Sequence, residues 1–176
     1  MEFAPDNRCM GDPDKIIENN QLISVNTNYK EIITRTIDKH FNYKAFRCVF
    51  PSWDNSSRKK KDILLTTQNS PELFAYFFNQ LLFYTEQNLE KDEQLIFINA
   101  WNEWGEGCHI EPDQKSGYAY LNGIKESLLR RPILAPYEYF EFIEKHRRKL
   151  ELENSKLKIE CAKYKNAYLS KDYRVG

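Results

Sequence analysis

Apolar positions along this 176-residue chain fall into short runs and longer helical stripes, separated by polar turns. Leu22-Ile-Ser-Val25 is a short strand, and residues 8–20 before it, with Gly11, Pro13 and paired asparagines, read as loop. Asn28 is placed to cap a helix, with Glu31 three residues on as the partner of a capping box. Tyr29, Ile32, Ile33, Ile37 and His40 or Phe41 then recur at helical spacing and give that helix one apolar face. Ala45-Phe-Arg-Cys-Val-Phe50 is the next strand, stopped by Pro51. Ser70-Pro-Glu72 opens the clearest helix, because serine caps it and proline suits the first helical position. Leu73, Phe74, Phe77, Phe78, Leu81, Leu82 and Phe83 form a wide apolar surface on it, suited to covering a sheet. After a surface turn at Glu90-Lys-Asp-Glu93, the run Ile96-Phe-Ile98 suits a strand buried on both faces. Gly117 to Leu129 reads as a further helix with Leu121, Ile124 and Leu128 inward, ended by Arg130, Arg131 and Pro132. Strands and helices alternating with connections of this size argue for β-α units on a parallel sheet.

From Tyr139 the rhythm changes. Phe140, Ile143, Arg147, Leu150, Asn154, Leu157, Cys161, Tyr164 and Tyr168 follow a 3-4 spacing, with mostly apolar d positions and asparagine at one a position. That pattern suits a two-stranded coiled coil in which Asn154 sets register. A single solvated helix and a linker to a further domain fit it as well.

Composition narrows the function. The 26 basic and 26 acidic side chains cancel, so nothing in the charge favours nucleic acid or an anionic membrane surface. No stretch approaches the roughly 18 uncharged apolar residues of a membrane span, and the first residues lack a signal-peptide pattern. Cys9, Cys48, Cys108 and Cys161 are far apart with no CxxC pair, which reads as free thiols in a reducing, cytoplasmic setting. No metal-ligand spacing and no nucleotide-binding glycine motif is visible, so neither a metal nor a cofactor is expected.

The candidate chemistry lies where the run at Ile96 turns polar. Asn99-Ala-Trp-Asn-Glu-Trp-Gly-Glu-Gly107 delivers two tryptophans and two carboxylates, Glu103 and Glu106, at the end of a strand. Tryptophan faces stack on sugar rings, and paired carboxylates hydrolyse or rearrange glycosidic bonds. An isolated ExxE is more often structural, one acid capping a turn and the other pairing with a lysine. Between tryptophans at a strand end, with Gly105 and Gly107 freeing the backbone around Glu106, the functional reading is the stronger. His109 reads as a loop hydrogen-bonder, Lys59, Lys60 and Lys61 as a solvated loop, and Asp54 and Asn55 as either turn formers or parts of a sugar cleft.

This segment, continued by Ile110-Glu-Pro-Asp113 and Gly117-Tyr-Ala-Tyr-Leu121, resembles the signature of the glycoside hydrolase family 99-like, WbsX-type proteins of lipopolysaccharide and polysaccharide biosynthesis. Val49-Phe-Pro-Ser-Trp-Asp-Asn55 with Arg58 resembles the other strong motif of that family, and the likeness spans roughly residues 1 to 131. It implies a (β/α)8 barrel, of which Glu2-Phe-Ala-Pro-Asp-Asn7 resembles the end of a mid-barrel strand. A whole barrel needs about 250 residues, so the expected fold is α/β, the C-terminal portion of such a barrel at 1–135, followed by a helical tail at 136–176. In the family's endo-acting mannosidases the first glutamate of the motif acts on the sugar 2-hydroxyl and the second serves as acid, then base, through a 1,2-anhydro sugar with retention. By match these are Glu103 and Glu106. Trp53, Asp54, Asn55, Arg58, Trp101, Asn102, Trp104, Glu111 and Tyr118 are the implied sugar contacts, with Arg58 bracing Asp54. Where those hydrolases carry histidine before the second glutamate, this chain has Gly105. The resemblance implies an oligosaccharide or polysaccharide substrate; half a barrel implies either a truncated fragment or association, through a partner supplying the rest or a homodimer formed by the tail. A sugar-binding or assembly module without turnover and a glycosyltransferase are the competing readings.

Overall fold

The computed structural model describes residue 5 and residues 13–18, 21–129 and 133–172. The expectations for residues 8–12 (Cys9 among them) and 19–20, for the strand end at residues 2–7 apart from Pro5, and for Arg130-Arg131-Pro132 lie outside those residues. The chain divides into two compact units, Met1–Pro136 and Tyr137–Gly176.

The first unit is mixed α/β. Strand β1 (Asp14–Glu18) runs antiparallel to β2 (Gln21–Asn28), and β2 runs parallel to β4 (Ile63–Thr67), in the order β1-β2-β4. Residues 14–18 are therefore strand rather than the expected loop. Polar residues there mislead because every β1 side chain is exposed, and the backbone ladder to β2 defines the strand. A second parallel pair joins β3 (Arg47–Val49) to β5 (Ile96–Ile98), with Asn99 N–H donating to Val49 O at 2.9 Å just beyond it. No closed barrel forms among the described residues.

Both capping expectations are met in the first unit. Asn28 Oδ1 accepts from Lys30 N–H at 2.9 Å at the start of α1 (Tyr29–Ile37), and Ser70 Oγ accepts from Leu73 N–H at 3.2 Å at the start of α2 (Pro71–Asn88). Glu31 does not close a capping box; it pairs with Arg35 one turn along, at 2.9 Å. The helix stops at Ile37, so His40 and Phe41 fall beyond its apolar face. Tyr29, Ile32 and Ile33 are buried, and the Tyr29 ring meets Phe50 and Phe77 edge-on while its hydroxyl donates to Phe50 O. This one side chain thus ties α1, the end of β3 and α2 into a single core. Burial without a water shell holds its phenol well above the ordinary range.

Helix α2 buries Leu73, Phe74, Phe77, Phe78 and Leu81 against the β3-β5 pair and α1, whereas Phe83 turns to solvent. Helix α3 (Ala119–Leu128) packs along α2 on a different face from the one its leucines suggest. Tyr120 and Ser127 are buried and Leu128 is exposed. The reason is steric: a Cβ on Gly123 would fall 2.6 Å from Ala75 Cβ, so two small residues let the helices touch and set α3's rotation. The strand β5 also departs from expectation. Phe97 is 39% exposed, because α2 covers the pair from one side and β3 is the partner strand of β5 among the described residues.

The second unit is one helix, α4 (Tyr137–Asp172), 36 residues long and charged throughout. Among the described residues no helix is long and apolar enough to cross a membrane.

Candidate functional site

Two loops leave the carboxyl ends of β3 and β5. The first, Phe50–Arg58, is pinned to β4: Trp53 N–H donates to Thr66 Oγ1 at 2.8 Å, Thr66 N–H to Trp53 O at 2.7 Å, and Leu64 N–H to Asn55 Oδ1 at 2.8 Å. Trp53 and Asn55 are consequently buried, the tryptophan with its Nε1–H facing no acceptor among the described residues. Asp54 is exposed and closes a local turn, its Oδ1 accepting from Ser56 N–H at 2.9 Å.

The second loop is a tight hairpin. Strand β6 (Asn102–Glu103) pairs antiparallel with β7 (Cys108–His109), and the tip Trp104–Glu106 is one 3-10 turn closed by Gly107 N–H on Trp104 O at 3.1 Å. Gly107 sits at φ 57°, a left-handed conformation that favours glycine. Glu103 ends β6 and Glu106 ends the turn, and Arg58 reaches both carboxylates from one side of the tip.

The loops are joined at the tip. Ser57 Oγ donates to Gly105 O at 2.8 Å, Asp54 N–H to Glu106 O at 2.7 Å, and Ser52 Oγ to Gly107 O, so three consecutive tip carbonyls are taken by the first loop. Arg58 completes the junction: its Nη2 lies 3.3 Å from Glu103 Oε1 and its Nη1 3.2 Å from Glu106 Oε1. The expected bracing of Asp54 by Arg58 is thereby corrected. Arg58 bridges the two glutamates, and the lack of a side chain at position 105 makes room for it, since a Cβ there would lie 2.8 Å from Arg58 Nε. One guanidinium offsets the mutual repulsion of two carboxylates that remain in contact with solvent, Glu103 at 37% and Glu106 at 23% side-chain exposure.

Beside the tip, Trp104 is half exposed. Its ring stacks on His109 at 3.6 Å between centroids, and its Nε1–H donates to Glu111 Oε2 at 2.8 Å. His109 is held in turn by Asp113, Nε2 to Oδ2 at 3.0 Å. Asp113 stays below the ordinary carboxylate range, first because Ser116 N–H donates to Oδ1 and further because of His109. Trp104, His109, Pro112, Asp113 and Tyr118 line an open hollow of about 740 Å³. Trp101 and Asn102 are exposed at the start of the hairpin, with Trp101 O accepting from Glu111 N–H at 2.9 Å. Cys108 is fully buried, its thiol against Asn99 O and raised to about 12, chiefly by burial.

Of the sequence-derived residues, the structure brings Arg58, Glu103 and Glu106 into one ion-paired group. It places Trp104 and Tyr118 at the neighbouring hollow, ties Glu111 to the Trp104 indole, and sets Trp53 and Asn55 beneath the surface. Ser52 and Ser57 went unnoticed in the sequence, and a serine beside a glycine-rich partner loop far along the chain gives no local signal. Among the described residues no cluster of histidine, cysteine and carboxylate side chains could hold a metal ion.

Residues 5–124, which contain both loops, match the family model described as Glycosyltransferase WbsX. The chain belongs to the WbsX family. Two curated relatives are both "Uncharacterized protein WxcX", from Xanthomonas campestris pv. campestris strains B100 and ATCC 33913, each 33% identical over 94 residues. That similarity covers 53% of this chain and 14% of each relative, so the chain spans about a seventh of the length of the curated relatives it matches. No solved structure matches.

Proposed function

We propose that this WbsX-family chain is part of a glycan-processing enzyme of cell-surface polysaccharide biosynthesis, acting on glycosidic bonds through Glu103 and Glu106. The observation that carries the reading is the shared grip of Arg58 on both carboxylates. Two oxygens held by one planar guanidinium are close enough for both carboxylates to reach the same sugar residue. They face outward, beside an aromatic hollow of the kind a sugar ring occupies. In this reading Glu103 accepts a proton from the sugar 2-hydroxyl, whose oxygen attacks the anomeric carbon. Glu106 gives a proton to the departing oxygen as its bond to the anomeric carbon breaks; it then takes one from the incoming water, which attacks that carbon and opens the 1,2-anhydro ring while Glu103 returns its proton to the 2-oxygen. Trp104 offers its free face to the ring, and Glu111 and Tyr118 supply hydroxyl contacts. Trp53, Asp54 and Asn55 act from below by holding the tip. The β3-α2-β5 unit, with helices on one side and β5 open on the other, fits the C-terminal portion of a (β/α)8 barrel whose remaining strands come from elsewhere.

The test is release of reducing ends from a panel of bacterial O-antigen and capsule polysaccharides by the full chain and by Glu103→Gln and Glu106→Gln. Each variant should lose about a hundredfold or more of the release rate while glycan-array binding persists. Release unchanged in both variants, or binding with no release in the parent chain, overturns the catalytic reading. A requirement for an activated sugar donor would move the assignment to transfer.

A further inference from the structure

We propose that α4 is the dimerisation element of this protein, pairing with the same helix of a second copy in a parallel, in-register, two-stranded coiled coil. Every residue from Arg147 to Lys165 is exposed in the single chain. A helix of that length in water draws most of its stability from packing an apolar face, and this stretch has no such packing within its own chain. Its 36 residues extend about 54 Å at 1.5 Å each, room for several heptads.

The sequence of the helix says what covers it. With Phe140 at an a position, Arg147, Asn154 and Cys161 follow as a, and Ile143, Leu150, Leu157 and Tyr164 as d. Leu150, Leu157 and Tyr164 are large apolar side chains left in solvent on one stripe. The flanks complement a second copy in one orientation only. In parallel register each g position faces the next e position across the seam. Glu153 then meets the partner's Lys158, Glu160 meets the partner's Lys165, and His146 meets the partner's Glu151. All three pairings are favourable or neutral. An antiparallel pairing centred on the same heptad sets Glu153 against the partner's Glu153 and buries Asn154 against leucine. In the parallel form Asn154 faces the partner's Asn154, where the two amides satisfy each other and fix register and strand number. Arg147 is the one charged a residue. Its guanidinium is drawn off the seam by Glu144, an e residue, at 2.9 Å, which leaves its methylenes to pack. Leu152 and Ile159 lie on the outer face and add no second continuous stripe.

The inference is independent of the glycosidic reading, and its test needs no substrate. Light scattering on the purified full chain should give twice the 21.0 kDa of one copy. Leu150→Glu with Leu157→Glu should return it to the mass of one. Should that variant disturb the helix itself, Glu153→Lys with Glu160→Lys is the surface alternative. At low salt it should weaken self-association at least tenfold, and mixing with Lys158→Glu, Lys165→Glu chains should restore pairing. Mild oxidation with copper phenanthroline should link the two Cys161 side chains into a covalent dimer, lost in Cys161→Ser without change in the non-covalent mass. A single-copy mass at tens of micromolar, or a dimer indifferent to Leu150→Glu with Leu157→Glu, overturns the proposal. So does a dimer that Cys161 fails to link, because its helices are then antiparallel or out of register.

Discussion

The loops that follow β3 and β5 leave equivalent ends of two parallel strands and meet opposite fates. Residues 50–58 are drawn down onto β4 by hydrogen bonds to Leu64 and Thr66, with Trp53 and Asn55 inside the protein. The loop after β5 stands up as a hairpin, with Trp101 51% and Trp104 49% exposed. The two are nonetheless one device. The first loop satisfies the carbonyls of Gly105, Glu106 and Gly107 and sends Arg58 between the carboxylates of the second. A tight turn with three unsatisfied carbonyls is a poor platform for fixed side chains. Here the first loop supplies the rigidity, and the second carries the two glutamates for which the chemistry is proposed.

The sharpest way to break that division is to remove the same ring from each side. Trp53→Ala should cost about 3–5 kcal/mol, as expected for emptying a buried aromatic site, and lower the melting temperature by about 10 °C. Trp104→Ala should move the melting temperature by no more than about 2 °C while weakening any oligosaccharide that the chain binds by tenfold or more. Calorimetry and binding isotherms on the two variants give both numbers. Equal losses of stability would mean that the hairpin is as structural as the loop beneath it. Trp53→Phe serves as a control and should cost less than Trp53→Ala, because it keeps an aromatic ring in the site and removes an N–H that has no acceptor among the described residues.

A smaller effect should follow Gly105→Ala. The added methyl lies within 2.8 Å of Arg58 Nε, so the guanidinium must swing away from Glu103 and Glu106. Because Arg58 is 53% exposed, the stability loss should stay under about 1 kcal/mol. The Arg58 Nε–H resonance should nevertheless shift and broaden. An unmoved resonance would show that the tip and the arginine are not sterically coupled.

The smallest effect concerns the anchor of the second loop, and it is absent at neutral pH. Burial raises the Cys108 thiol from 9.0 to about 12, and burial likewise raises the Tyr120 phenol from 10.0 to about 12. Both groups keep their protons more tightly folded than unfolded. Their contribution is therefore complete below pH 9 and is lost as pH climbs from there towards 12. At pH 8, iodoacetamide should modify buried Cys108 at least a hundredfold more slowly in the folded chain than in urea, as peptide mapping would show. Comparable rates would mean that the hairpin opens readily from its base.

Sequence alone determined what short-range chemistry controls. Asn28 and Ser70 announce the helices they cap, the apolar stripe at residues 73–81 announces the burying face of α2, and the paired acids among tryptophans mark the stretch for which the chemistry is proposed. Those signals act across three or four residues, so they survive without a partner. Tertiary structure decided the contacts between segments far apart in the chain. It buried Trp53 and Asn55 by docking them on β4, left Phe97 exposed by giving β5 a cover on one side, and turned α3 about the Gly123–Ala75 contact. Above all it delivered Arg58 to Glu103 and Glu106 rather than to Asp54, through a gap that exists only because residue 105 lacks a side chain. Such pairings depend on strand order and on which atoms leave space for others, and neither is written in the periodicity of any single segment.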